Sequence, residues 1–263
     1  TVALMAALGW KAVFWLFGVI GVLLGVLWFK FVPDNPKQSP YVNEAELEHI
    51  NDGRENTVEA KEIAPWGKLL KSSQFWSLGL QFMITDYIMY VFLAWLPLYL
   101  MEVHGFSLSK MGLWAAAPWL SLMAVVSCCG YLSDKAIAAG FSQNLVKTST
   151  GAVGILLCAC TLFIATRTAD PMMNVFWLSV ALGSLGLTMS ASWSSVISMG
   201  GRFAGSVSGW MNFWGNIGGV LAPSVTAWVA TTYGWQAALA VTAVSGIAGA
   251  VLWLFVKPDK AIV

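Results

Sequence analysis

The sequence predicts an all-α integral membrane protein with about seven transmembrane helices, on three observations. Of its 263 residues 58% are hydrophobic and 10% are charged, against about 45–50% and about 25% in soluble domains, so a water-facing surface cannot be built from it. The charges are bunched, leaving uncharged stretches of twenty residues and more, long enough as helices to cross a hydrocarbon core of about 30 Å. The basic residues also sort unevenly between the two sides that alternating spans define.

Apolar runs between polar breaks give spans at 12–32, 75–101, 108–132, 145–166, 172–199, 203–231 and 237–256. The first residues, from Thr1, read as the end of a preceding membrane segment and suggest a truncated chain. In the first span Gly18, Gly21 and Gly25 thin one face. The only extended polar segment, 33–74, holds eight of the thirteen carboxylates and five of the fourteen basic residues, which makes it a linker outside the bilayer. Within it Asn43 and Glu46 form a capping pair for a short helix through Ile50. Pro65 suits the first turn of a second helix whose Trp66, Leu69 and Leu70 would lie on the membrane, with Lys68 and Lys71 toward headgroups.

The second span carries Asp86, the one ionisable residue near the middle of any span. A carboxylate at a helix centre costs about 2.5–3.5 kcal/mol on insertion scales, so it marks either a proton-coupling site or a polar position lining a cavity. Gln81, Tyr87 and Tyr90 share this helix, and buried tyrosine hydroxyls need partners. Cys128, Cys129, Cys158 and Cys160 fall inside apolar runs and read as small buried hydrophobes, with no disulfide or metal spacing.

The fifth span is rich in hydroxyls, which places it against a cavity or in a tight helix contact. Ser190, Trp193 and Ser194 lie at helical spacings that put hydroxyls and an indole plane on roughly one side, a surface suited to a polyol. In the sixth span Gly205, Gly209, Asn212, Asn216, Gly219 and Pro223 recur at spacings of four and three, one continuous helical face. Glycines there allow close approach of a neighbour, and an amide in hydrocarbon belongs in a cavity or in a helix contact. Pro97, Pro118 and Pro223 each remove a backbone hydrogen bond within a span.

Sorting lysines and arginines by side gives eleven against three: Lys30, Lys37, Arg54, Lys61, Lys68, Lys71, Lys135, Lys147, Arg202, Lys257 and Lys260 on one side, Lys11, Lys110 and Arg167 on the other. The long loop and the C-terminus are therefore expected in the cytoplasm. A formal net charge of +1 offers no basic surface for nucleic acid. His49 lies in the linker and His104 at an outer loop, no serine has a His or Asp in suitable register, and no His/Cys/carboxylate cluster suggests a metal. An enzyme and a cofactor are accordingly not expected. A seven-helix receptor or sensor remains a reading of another class.

Several motifs carry a resemblance. One extra span, a polar linker and six further spans resemble the C-terminal part of a major facilitator transporter, which joins two six-helix halves by a cytoplasmic loop. Gly130-Tyr131-Leu132-Ser133-Asp134-Lys135 resembles that superfamily's cytoplasmic loop motif, with Lys147 as a further basic element. Trp95-Leu96-Pro97-Leu98-Tyr99-Leu100 with His104-Gly105-Phe106-Ser107, and the stretch 205–223, resemble its anion:cation symporter family.

The resemblance implies a major facilitator fold with residues 1–32 as the last helix of the N-terminal half, 33–74 as cytoplasmic linker, 75–257 as the six-helix C-terminal half and 258–263 as cytoplasmic tail. It implies proton symport of an organic anion, foremost a hexonate, hexarate or hexuronate, with an aromatic or small carboxylic acid as the alternative, favoured if the Trp residues line the cavity. The partners would be that anion, protons, the lipid bilayer and a missing N-terminal half, and the location a bacterial inner membrane. In the resembling sugar-acid permeases, residues matching Ser190, Ser192 and Trp193 meet the ligand. Tyr87, Tyr90 and Asn212 are expected at the central cavity beside Asp86, Gln81 and Asn216. Every basic residue sits near an interface or in a loop, so the carboxylate clamp is expected in the N-terminal half.

Overall fold

A computed structural model describes residues 2–51 and 63–262. Arg54 and Lys61 of the charge sorting, with four of the linker's carboxylates, lie outside the described residues. By its internal packing the chain forms two compact units, 1–63 and 64–263.

In the first unit α1 (Val2–Phe31) begins ten residues earlier than the expected span. Gly9, at φ 77° and ψ 161°, leaves the helix there, a conformation that a residue with a Cβ adopts only under strain. A short 3-10 turn, Pro36–Gln38, and α2 (Glu44–Asn51) follow. The Asn43 side-chain oxygen accepts from Glu46 N at 2.8 Å, the expected cap of α2.

The second unit opens with α3 (Trp66–Leu69). Here the expectation of a membrane-lying face is corrected at Leu69, which is fully buried and belongs with Ala64 to the bundle core, where its apolar side chain escapes water without the membrane. Trp66 and Leu70 remain exposed, as do Lys68 and Lys71.

Six long or paired helices complete the unit. They are α4 (Ser73–Glu102), α5 (Leu108–Trp114) continued by α6 (Ala116–Ala138), α7 (Gln143–Arg167), α8 (Pro171–Gly200), α9 (Ala204–Tyr233) and α10 (Trp235–Trp253). The expected third span is thus two helices that break at Ala115. Pro118 has no N–H for the carbonyl of Trp114, which is enough to end α5.

Ser107, Ser142 and Asp170 cap α5, α7 and α8 by accepting from backbone N–H groups three residues on, at 3.3, 3.1 and 2.8 Å. Six stretches are long and apolar enough to cross a membrane, one of them spanning 171–233. That stretch turns at Gly201, φ 49°, so it is two helices of 30 residues, each about 45 Å long at ~1.5 Å per residue. Seven apolar crossings result, and no strand occurs among the described residues.

Within the bundle α9 and α10 pack on α4, while α6 and α7 pack on α8. The two groups join through α7 against α10 and α8 against both α4 and α9.

Candidate functional site

Two kinds of contact bring α4, α8 and α9 together. Between α4 and α9 the contact is a seam of small residues. A methyl group built on Gly218 would collide with the Met83 carbonyl oxygen, one on Gly215 with the Asp86 carboxylate, and one on Gly219 would press the Tyr90 ring at 3.0 Å. Between α4 and α8 it is polar. Gln81 Nε2 donates to Ser192 Oγ at 3.1 Å and to Leu78 O at 3.1 Å, Ser192 Oγ donates to Thr188 O at 2.8 Å, and Thr85 Oγ1 donates to Gln81 O at 2.9 Å.

Asp86 is 7% exposed, wedged between Gly215 and Phe82. Among the described residues no hydrogen bond reaches its carboxylate. One turn away the Trp193 indole stands edge-on to Phe82, with centroids 5.8 Å apart. Tyr87 and Tyr90 are half-buried on the same helix as Asp86, Ser190 is half-buried on α8, and Trp193 is 42% exposed.

Three groups of expected site residues are placed in ways the sequence does not show. Ser192 and Gln81 have no exposed surface and tie α4 to α8. The glycine face expected on α9 is also displaced. Gly205 and Gly209 meet nothing within 4 Å, and close approach belongs to Gly215, Gly218 and Gly219, a face that rotates Asn212 and Asn216 to the open side. Asn216 Nδ2 donates back to Asn212 O at 2.8 Å, leaving Asn212 the freer amide. Finally, Gly130, Asp134 and Lys135 are helical within α6, which runs to Ala138, and do not form a loop. The Lys135 ammonium stands 4.7 Å from the Tyr131 ring centroid.

Sequence reasoning missed two buried polar residues. Lys147 is the one basic side chain buried among the described residues. Its Nζ donates to Ser194 O at 3.0 Å and Ser198 Oγ at 3.2 Å, joining α7 to α8. Its place within the first turns of α7 made it read as an interfacial charge.

At the opposite end of the bundle Asn174 is fully buried, donating to Tyr99 Oη at 3.0 Å and Ala165 O at 2.8 Å. His104 stands edge-on to Tyr99, with centroids 5.5 Å apart. Burial lowers its pKa from 6.5, against the raising effects of Asn174 and the Asp170 charge. An asparagine two residues inside an apolar run was the available signal.

The tryptophans gather at the two ends of the bundle. Trp76, Trp210 and Trp214 cluster with Phe75 and Phe213 near the start of α4, and Trp95 meets Trp235 near its end. Amphipathic rings favour such positions at membrane interfaces.

A bundle of helices long and apolar enough to cross a membrane defines a polytopic membrane protein. The Major Facilitator Superfamily model matches residues 1–223, and the chain belongs to that family. It is 27% identical to the chloroplastic ascorbate transporter of Arabidopsis thaliana, over 98% of this chain and 48% of the relative. It is 28% identical to the D-galactonate transporter of Escherichia coli O6:H1, over 96% of this chain and 60% of the relative. With a probable galactarate/D-glucarate transporter of Bacillus subtilis it shares 29%, over 97% and 58%. The chain thus spans about half the length of the curated relatives it matches first.

Proposed function

We propose that the chain is the C-terminal part of a secondary transporter that takes up organic anions by proton symport, with hexonates, hexarates or hexuronates as substrates. Alternating access would rock this half against an N-terminal half about a midplane site. The membrane would be a bacterial inner membrane, with the linker and C-terminus in the cytoplasm. Support comes from the names of the relatives, which include galactonate and galactarate/glucarate transporters.

The observation that carries the reading is Asp86, a buried mid-span carboxylate without a hydrogen-bond partner among the described residues, set against Gly215 of α9. A proton neutralises such a group when the cavity closes over it and leaves when the cavity opens. Around it Tyr87, Tyr90, Ser190, Trp193 and Asn212 form the substrate set: hydroxyls and an amide for hydroxyls, and one indole to cover a carbon face. Asn216 steadies Asn212. Gly130, Asp134 and Lys135 serve the cytoplasmic end of α6. The tryptophan clusters near the two ends of α4 favour sugar acids over aromatic acids, with Trp193, edge-on to Phe82, as the indole of the substrate set.

The test is uptake of radiolabelled hexonates, hexarates, hexuronates and aromatic acids by the full-length transporter in proteoliposomes under an inward proton gradient. One sugar acid should accumulate, and Asn212→Ala should abolish its uptake. Asp86→Asn should keep exchange while losing gradient-driven accumulation. Uptake indifferent to both substitutions would overturn the site.

A further inference from the structure

Away from the Asp86 site, at the end of the bundle where α4 and α7 finish and α8 and α10 begin, lies a cavity of about 270 Å³. Tyr99, His104, Thr166, Arg167, Thr168 and Gln236 supply its polar lining. No carboxylate lines it.

The two acids nearest in sequence are engaged elsewhere: Asp170 Oδ1 accepts from Met173 N at 2.8 Å, and Glu102 Oε2 accepts from Trp235 Nε1 at 2.9 Å. The Arg167 guanidinium lies 5.5 Å from the Phe163 ring centroid, which holds its aliphatic stem at the cavity edge. The Tyr99 hydroxyl oxygen already accepts from Asn174, so its own proton is available to a ligand. The Thr166 and Thr168 hydroxyls donate to Phe163 O and Ile164 O and offer only acceptors.

The lining therefore presents one permanent cation, a carboxamide and a phenolic donor. The Asp170 charge is felt at His104 on its edge, but no carboxylate stands in the lining itself to meet a cation. A carboxylate would find a bidentate donor in Arg167.

We propose that this cavity is an outer recognition subsite for a carboxylate anion, with Arg167 as its cation and Gln236 and Tyr99 as neutral donors. It rests on the reading of organic-anion transport and on the orientation that puts this end outside the membrane. It supplies a basic group at the mouth, raising local substrate concentration before the anion enters between the halves.

The experiment compares the two directions of transport by the full-length protein in oriented proteoliposomes, using gluconate as the probe. Arg167→Gln should raise KM for entry from the outer face about tenfold, the loss expected for one charge-assisted hydrogen-bonded contact. It should leave kcat for inward transport and the KM for entry from the cytoplasmic face within about twofold, the overall equilibrium being kept by a matching fall in kcat for outward transport. Arg167→Lys should recover part of the loss, and Gln236→Leu should raise the outer KM by a smaller factor. Equal rises of KM in both directions, or no rise, would overturn the subsite.

A second readout separates its failure from failure of the transport reading. Gluconate should raise the melting temperature of the purified full-length protein, and Arg167→Gln should weaken that shift while Asn212→Ala keeps the Arg167-dependent part. If no anion is transported but the Arg167-dependent shift persists, the subsite stands and the transport reading falls. A shift indifferent to Arg167, or one given by sulfate and not by gluconate, overturns it as a carboxylate site.

Discussion

Helices α8 and α9 are both 30 residues long and both pack against α4, yet their contacts with it differ in emphasis, α9 adding to its glycine seam one hydrogen bond, from Trp210 Nε1 to Phe75 O at 3.0 Å. α9 approaches through Gly215, Gly218 and Gly219, so backbone meets backbone and dispersion does the holding. α8 approaches through side-chain hydrogen bonds, with Ser192 on Gln81 and, toward α7, Thr188 Oγ1 on Gly151 O at 2.9 Å and Lys147 on Ser194 and Ser198. A seam of glycines fails by intrusion, whereas a polar tie fails by loss of a partner. On the outward faces Asn212 of α9 is exposed and Ser190 of α8 half-buried, and these are the amide and hydroxyl we propose for the ligand.

The contrast can be broken most severely at Gly218. Gly218→Ala drives a methyl group into the Met83 carbonyl, which cannot move aside, and should lower stability by about 1–3 kcal/mol or more, read as a lower melting temperature in detergent. Gly209→Ala in the same helix meets open space and should stabilise by up to about 1 kcal/mol. Equal effects at the two positions would dissolve the distinction between the faces of α9.

A smaller effect is expected on the polar side. A double-mutant cycle of Gln81→Leu and Ser192→Ala should give a coupling of about 0.6 kcal/mol and no more than about 1.7 kcal/mol, the range for hydrogen bonds between membrane helices. Asn212→Ala should change stability by no more than about 0.5 kcal/mol, as for an exposed position, while removing uptake. A large stability loss there would make Asn212 a packing residue.

The smallest effect concerns His104, whose folded pKa lies below the ordinary 6.5. In the window between the two values the unfolded chain binds more protons than the folded one. The stabilisation is full above pH 6.5 and is lost as pH falls through it. His104→Gln should therefore flatten the decline of melting temperature on acidification, and an unchanged slope would show that another group sets it.

Much of the bundle was legible because hydrophobic length needs no partner to be read. The cap at Asn43, a short helix starting beside Pro65, the start of α8 near Met172 and the end of α9 near Thr231 all follow from local composition. The break at Ala115 was less so, since Pro118 marks a missing donor without saying whether the helix bends or parts. The candidate site was legible as a list of polar residues in apolar runs. It was not legible as a partition, because Ser190 and Ser192 look alike until the neighbouring helix is placed, and Gln81 then claims one of them.

By itself the sequence determined the solvent, the number of crossings and which residues would demand a polar environment, because these depend on transfer energies summed along one segment. Only the tertiary structure decided the facing of each helix. A shift of one residue turns an α-helix by about 100°, so the glycine seam belongs to Gly215, Gly218 and Gly219 while Gly205 and Gly209 stay open. That rotation fixes whether a polar group meets another helix or remains available to a substrate.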